Sequence, residues 1–489
     1  MKVAEQHLAA LAETITCPTY DRSELSHGIV HIGIGGFHRS HQAYYLHQLL
    51  GKEGSAPWGI CGIGLREGDR KMAETMASQD GLYTLVAQHA SGTVESEIIG
   101  AITEYILAVD SPQAAIDKMA HPHTQIVSLT ITEGGYNFHP ATGEFMVEHP
   151  DVQAELTHPD QPRTVYGYLT AALRKRRANG LPAFTILSCD NIQHNGDVTR
   201  AMLLAFAKHQ DPELAAWIKA EVCFPNSMVD RITPVTDPSM IEMLKTEYGL
   251  EDQWPVVCEP FIQWVVEDRF SQGRPELEKV GVQFVPDVTP YEKMKIRLLN
   301  AGHSVLGIPG AIHGHPTIEA CMRDEVFSTF MRQFMDQEAS PVVGEVAGMD
   351  LDRYKDQLAE RFANPNIKDS VSRICSESAA KLPKFLIPTL QENLASGGSI
   401  RYATFILAAW CYYSDKGIDE NLGSIERIDV KQDELHQAAS QTQSDWTSFL
   451  NQPEIFGDLN QHKRFVEAYT RMVQAIYREQ NIRKLMQEI

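Results

Sequence analysis

One amphipathic, breaker-poor stretch running from Tyr291 to Ser304 carries three side chains suited to chemistry: Lys295, Asn300 and His303. On a helical wheel of about 100° per residue they project near roughly 0°, 140° and 80°. All three can then look toward one cleft while Leu298, Leu299, Val305 and Leu306 pack the helix against the body. A lysine held there can serve as a base, and Asn300 and His303 can hold a substrate hydroxyl or carbonyl. The same spacing also suits a solvated lysine beside two polar residues on a helix face.

Such a set needs a frame. With 489 residues the chain has enough length for two domains and a sizeable core. A formal charge of −21 argues against nucleic acid or an anionic membrane as partner. The first residues show no basic region followed by an apolar core, so no signal peptide is expected. No apolar run reaches the length of a membrane helix. The eight cysteines are scattered without a Cys-x-x-Cys pair, a reduced, cytoplasmic pattern that offers no zinc module. The pairs His38/His41 and His313/His315 lack a carboxylate–histidine framework of recognisable spacing, and no metal is expected. With no coiled coil or apolar interface stripe in view, the expectation is a monomer.

The first structural signal is a nucleotide fold. The β-branched run Gly28–Ile32 leads into Gly33-Ile34-Gly35-Gly36-Phe37-His38-Arg39-Ser40-His41, and Gln42–His47 continues as a helix. Such a junction brings backbone close to a pyrophosphate and aims a helix N-terminus at it. The Gly-x-Gly-x-x-Gly pattern is partial, because His38 stands at the third glycine position, and an ordinary tight turn is the competing reading. A second strand, Trp58–Leu65, ends in Arg66-Glu67-Gly68-Asp69-Arg70. Asp69 or Glu67 suits the adenosine ribose and would repel a 2′-phosphate. Arg66 and Arg70 leave NADP open, with NAD the favoured cofactor.

Further apolar strands are expected at 82–86 and 124–131, with helices at 111–120 and 164–179. The 124–131 strand runs into Thr132-Glu133-Gly134-Gly135-Tyr136, and a strand at 184–189 into Asp190-Asn191. Asn191 can bridge nicotinamide and substrate, or cap the next helix. Alternating strands and helices predict a doubly wound, Rossmann-like α/β domain with a mostly parallel sheet. Beyond it, helical periodicity dominates at 325–337, 352–362, 383–395, 401–413 and 463–478. The expected division is 1–285, with extended-strand additions around 222–234 and 254–266, and a mainly helical 286–489.

Taken together, these motifs resemble the polyol-specific long-chain dehydrogenases, the mannitol dehydrogenase family, over almost the whole length. The resemblance rests on the Gly33–His41 turn, Thr132–Tyr136, Ser188–Asn191, Phe224–Pro234 and Lys295-x-x-x-x-Asn300-x-x-His303. It implies metal-independent, NAD-dependent interconversion of a polyol and a ketose, D-mannitol and D-fructose, by a mainly helical substrate-binding and catalytic domain joined to an NAD-binding one. It further implies Lys295 as general base and acid, Asn191 and Asn300 polarising the reacting oxygen, His303 orienting substrate and Glu292 relaying protons. Asp230, Arg373 and Lys381 would grip the remaining hydroxyls. Gly33, Gly35, Gly36, Phe37, His38, Arg39, Asp69, Glu133 and Gly134 would lie at the cofactor. A lysine pKa near about 10.4 would have to fall by roughly 2–3 to serve near neutrality; partial burial and the positive nicotinamide both push it that way.

Two other functions are compatible with the residues. A related enzyme acting on D-arabinitol, or on a hexuronate such as fructuronate, could use Arg373 or Lys381 for a carboxylate. A protein that senses NAD without turnover would have no use for a base beside Asn300 and His303. The run Leu306-Gly307-Ile308-Pro309-Gly310-Ala311 after the lysine helix is a further candidate pocket lining.

Overall fold

A computed structural model describes residues 1–139 and 142–489. The chain divides into two units, Met1–His89 with Thr93–Thr289, and Ala90–Gly92 with Pro290–Ile489.

In the first unit, apolar and glycine-containing runs form β1 (Ser26–Ile32), β2 (Trp58–Gly64), β3 (Tyr83–Gln88), β4 (Val94–Ile99), β5 (Ile102–Leu107), β6 (Ile126–Leu129), β7 (Thr185–Ser188), β8 (Ser227–Asp230), β9 (Val256–Cys258), β10 (Gln263–Glu267) and β11 (Gln283–Val285). Five of them build one sheet in the order β5-β2-β1-β6-β7. Every pairing in it is parallel. The chain steps outward from β1 through β2 to β5, then returns to the other side of β1 for β6 and β7. The strand order therefore reverses between β1 and β6, the position where open α/β sheets bind ligands. Both faces are covered: Val30, Ile63 and Val127 belong to one apolar cluster, Ile60, Ile126 and Leu187 to another. Burial on both sides is why these strands read as continuous apolar runs. The Rossmann-like expectation holds.

One strand goes elsewhere. β3 does not join the parallel sheet; it pairs antiparallel with β4 and parallel with β9 in a separate three-stranded sheet. The sequence hid this because β4, Val94-Glu95-Ser96-Glu97-Ile98-Ile99, is half polar and begins exposed, so its hairpin with β3 lacks an apolar signature. A third small sheet, β11-β10-β8, carries Asp230 at the end of β8.

The second unit is built from helices. Arg401–Lys416 is buried from Tyr402 to Ser414 and packs against Ala301–His313 and Lys463–Glu479. Its first turn is tied by Glu338, whose carboxylate accepts from the Tyr402 and Ala403 amides. The Tyr291–Ser304 stretch is not a uniform α-helix. Thr289–Lys295 is α-helical, Ile296–Asn300 forms a π-turn, and Ala301–His313 resumes the α-helix. The uniform wheel drawn from the sequence therefore fails between Lys295 and Asn300. Arg297 in the π-turn reaches Glu392 at 3.1 Å, a carboxylate shared with Lys293 at 2.7 Å. The Leu306–Ala311 run, a candidate pocket lining, is buried inside Ala301–His313 and serves packing. No described helix is long and apolar enough to cross a membrane.

Candidate active site

The first unit holds a cavity of about 520 Å³ lined by Gly33, Leu65, Arg66, Asp69, Thr130, Thr132, Gly134, Asn137, His149 and Arg163 among others. Its floor is the reversal point of the sheet. Gly33 has φ +96°, and a Cβ there would collide with the Thr130 carbonyl oxygen, so the turn leaving β1 requires glycine. Asp69 accepts from the Arg66 amide at 3.0 Å, which fixes its carboxylate at the end of β2. Arg70 is held by Glu67 and Asp110, leaving Arg66 as the exposed cation beside Asp69.

Gly35 and Gly36 open the short helix Gly36–Ser40, with Phe37 half-buried and stacked on His41. The side chains of His38 and Arg39, expected at the cofactor, are both buried. His38 is buried and stacks on His31 with ring centroids 3.5 Å apart. Arg39 turns into the body, bonds the Trp254 carbonyl and lies over the Tyr83 ring. Both follow the helix's inner face, and a large side chain pointing inward is held by the core.

Beyond β6 the chain passes through Thr132 at φ 62° and Asn137 at φ 49°, conformations rare for residues with side chains. Asp190 holds them. Its carboxylate accepts from the Ile131 and Thr132 amides at 2.9 Å each and from the Tyr136 hydroxyl at 2.6 Å. Burial pushes its pKa up, with the Tyr136 and backbone donors working against that. Glu133 and Gly134 are thereby presented at the exposed rim. Asp190 is a site-building residue that sequence reasoning passed over.

Asn191 stands exposed just past β7. It is not the cap of the next helix, which begins at Asn195 with His194 at its N-cap. Asn195 ties this loop to the strand carrying Asp230 by donating to the Asp190 and Ser227 carbonyls and accepting from the Ser227 amide. Asp230 is buried at the end of β8, opposite Gln263. The next residue, Arg231, donates to the Ser40 carbonyl, and Thr233 bonds Ser40 through its hydroxyl. The glycine-turn helix and the Asp230 segment are thus fastened together.

In the second unit Glu292 and Lys295 lie one helical turn apart, 5% and 7% exposed. A buried lysine three residues from a buried carboxylate has the makings of a proton path. At the end of the π-turn, Asn300 has its side-chain oxygen buried without a hydrogen-bond partner. His303 stacks on Phe362 at 4.0 Å. Arg373 and Lys381 share a corner: Lys381 Nζ donates to the carbonyls of Arg373 and Ile374 at 3.3 and 3.2 Å. Burial first, and Arg373 second, hold the Lys381 pKa below the usual lysine value. The Arg373 side chain is 64% exposed and its guanidinium is paired with Asp369.

Against known proteins, residues 27–279 match the mannitol dehydrogenase Rossmann domain and residues 287–477 the mannitol dehydrogenase C-terminal domain. The chain belongs to the mannitol dehydrogenase family. It is 44% identical to a mannitol 2-dehydrogenase of Aspergillus fumigatus over 97% of this chain and 95% of that one. A Pseudomonas fluorescens mannitol 2-dehydrogenase, solved as a ternary complex with NAD and D-mannitol, is 45% identical with a TM-score of 0.88, covering 100% of this chain and 99% of that one. A D-sorbitol dehydrogenase solved in substrate-free form is 36% identical with a TM-score of 0.92, covering 99% and 100%. Membership in the mannitol dehydrogenase family bears out the resemblance and the fold class read from the sequence.

Proposed function

We propose that the chain oxidises a polyol to a ketose with NAD, D-mannitol to D-fructose, and runs the reverse reaction, with Lys295 as general base and acid and no metal in the chemistry. The observation that carries this reading is the buried Glu292–Lys295 pair on a helix that continues through a π-turn to Asn300 and His303. Similarity over nearly the full length to proteins named mannitol 2-dehydrogenase supports the substrate class.

The first unit offers groups that suit NAD. The Gly33 turn lets backbone approach a pyrophosphate, and Asp69 suits a ribose diol while repelling a 2′-phosphate. Glu133 and Gly134 would contribute from the rim that Asp190 holds, with Gly35, Gly36 and Phe37 supplying the turn. Bound NAD supplies the hydride acceptor. Lys295 takes the hydroxyl proton during oxidation and returns it during reduction, and Glu292 passes it on. The Asn300 and Asn191 amides donate to the reacting oxygen, each worth about 3 kcal/mol in comparable sites. His303 orients the substrate. Asp230 accepts from the remaining hydroxyls, and Arg373 and Lys381 donate to them. A sugar-acid substrate is the less suitable one, because Asp369 already pairs with the Arg373 guanidinium.

Steady-state rates on mannitol, arabinitol, sorbitol and hexuronates with each cofactor test the assignment. The expected result is the highest kcat/KM for mannitol with NAD, unaffected by a chelator. Lys295→Ala should lose about 10²–10⁴-fold in turnover while still binding NADH. Unimpaired, pH-dependent turnover in that variant would remove Lys295 from its role, and loss of activity with chelator from protein that stays folded would count against metal-free chemistry.

A further inference from the structure

The second unit contains a side-chain cluster that the proposed reaction does not use. His313 ends the Ala301–His313 helix, Gly314 turns the chain at φ 94°, and His315 follows. A Cβ at Gly314 would lie 2.6 Å from Asn421 Nδ2 and 3.1 Å from Asp419, so the turn is pressed against the 419–423 loop. That reversal brings the two imidazoles to 4.8 Å between centroids. One ring nitrogen from each and a carboxylate oxygen of Asp324 all lie within 4.8 Å of one another.

The tautomers suit a cation. His313 Nδ1 sits 2.7 Å from Glu420 Oε2, so it carries the proton and leaves the Nε2 lone pair available, the carboxylate–histidine pairing that orients metal ligands. His315 Nε2 is buried without a hydrogen-bond partner. It lies 3.8 Å from Asp324 Oδ2, beyond hydrogen-bond distance. Phe327 walls the site, 5.6 and 5.0 Å from the two rings. Ligands sharing one zinc ion sit roughly 3.3 Å apart, given bonds of about 2.0–2.1 Å, so side-chain rotation of about an ångström would close the set. One cation already contests it: Arg483 Nε is 2.7 Å from Asp324 Oδ2.

We propose that His313, His315 and Asp324 form a structural site for a divalent transition ion, with water completing the coordination and Glu420 fixing the His313 tautomer. Two imidazoles and one carboxylate suit zinc, cobalt or nickel, and calcium and magnesium poorly. The site also bears on the end of the chain. Glu420 accepts from the Ile482 amide and Asp324 pairs with Arg483, so both carboxylates hold the start of the Ile482–Glu488 helix.

The test uses untagged, full-length protein stripped with EDTA and titrated with Zn²⁺ and Co²⁺. Calorimetry should give one equivalent per chain, the Co²⁺ adduct should show visible d–d absorption, and Zn²⁺ should raise the thermal midpoint. His315→Ala should abolish all three. Glu420→Gln should weaken binding roughly 10–100-fold, whereas Arg483→Gln should tighten it by freeing Asp324. These opposite directions keep the proposal testable if His315→Ala folds poorly. No stoichiometric binding, or binding indifferent to these substitutions, overturns it. Affinity and melting are the readouts, so this proposal and the lysine mechanism fail separately.

Discussion

Two carboxylates shape the cavity at the sheet's reversal point in different ways. Asp69 faces the cavity, and Asp69→Ala is expected to raise activity with NADP relative to NAD, because the charge that repels a 2′-phosphate is gone and Arg66 remains. An unchanged NAD/NADP ratio of kcat/KM would assign discrimination to another residue. Asp190 acts from behind, holding Ile131, Thr132 and Tyr136. Asp190→Ala should cost about 1–3 kcal/mol for each buried donor left unpaired, seen as a lower urea midpoint, and should weaken NADH binding measured by fluorescence. The two differ in how they could be read. Asp69 announces itself by following a strand of a recognisable nucleotide fold. Asp190 stands beside Asn191 at a strand end that invites a ligand, yet its partners lie on another strand's loop, and no local pattern encodes them. His38 and Arg39 stand in the glycine motif, and the short helix turns their side chains into the core.

At the scale of elements, apolar periodicity located the lysine helix, but no periodicity rule signals a π-turn. Within that turn Arg297 reaches Glu392, a tertiary contact that a local repeat does not encode. Gly307, on the following helix, keeps a close packing distance, since a Cβ there would lie 2.8 Å from Ile374 Cγ2. Gly307→Ala should therefore cost about 1–3 kcal/mol by overpacking and displace the Val371–Cys375 helix that bears Arg373. The expected kinetic result is a raised KM for polyol with NADH affinity unchanged. In the parallel sheet, His31 of β1 bonds Ser128 and Thr130 at 2.8 Å each. Burial holds its pKa down to about 3, below the unfolded value of about 6.5. Its contribution is complete above about pH 6.5 and is lost as pH falls toward 3, at up to about 1.4 kcal/mol per pH unit. His38 shifts the same way, burial leading. Urea midpoints should fall over this window, and less steeply in His31→Gln.

Over the whole molecule, the change from strand–helix alternation to helical periodicity carried the fold class, because a sheet buried on both faces and an amphipathic helix leave different repeats in a sequence. Strand partnership left none: β3 has the apolar run of a parallel strand and still joins a different sheet. That small sheet has a consequence for how the protein is made. β3 gains one neighbour at once, from the β4 hairpin, but its other edge waits for β9, where Leu85 pairs with Val256. The N-terminus waits as long, since Val3 and Met1 bond Glu251. During synthesis an apolar strand therefore emerges from the ribosome early and keeps one edge open until nearly the entire first unit has been translated. Unpaired edges of that kind recruit wrong partners. Nascent chains stalled before Val256 should be the aggregation-prone, chaperone-bound species, and those stalled after Cys258 should not.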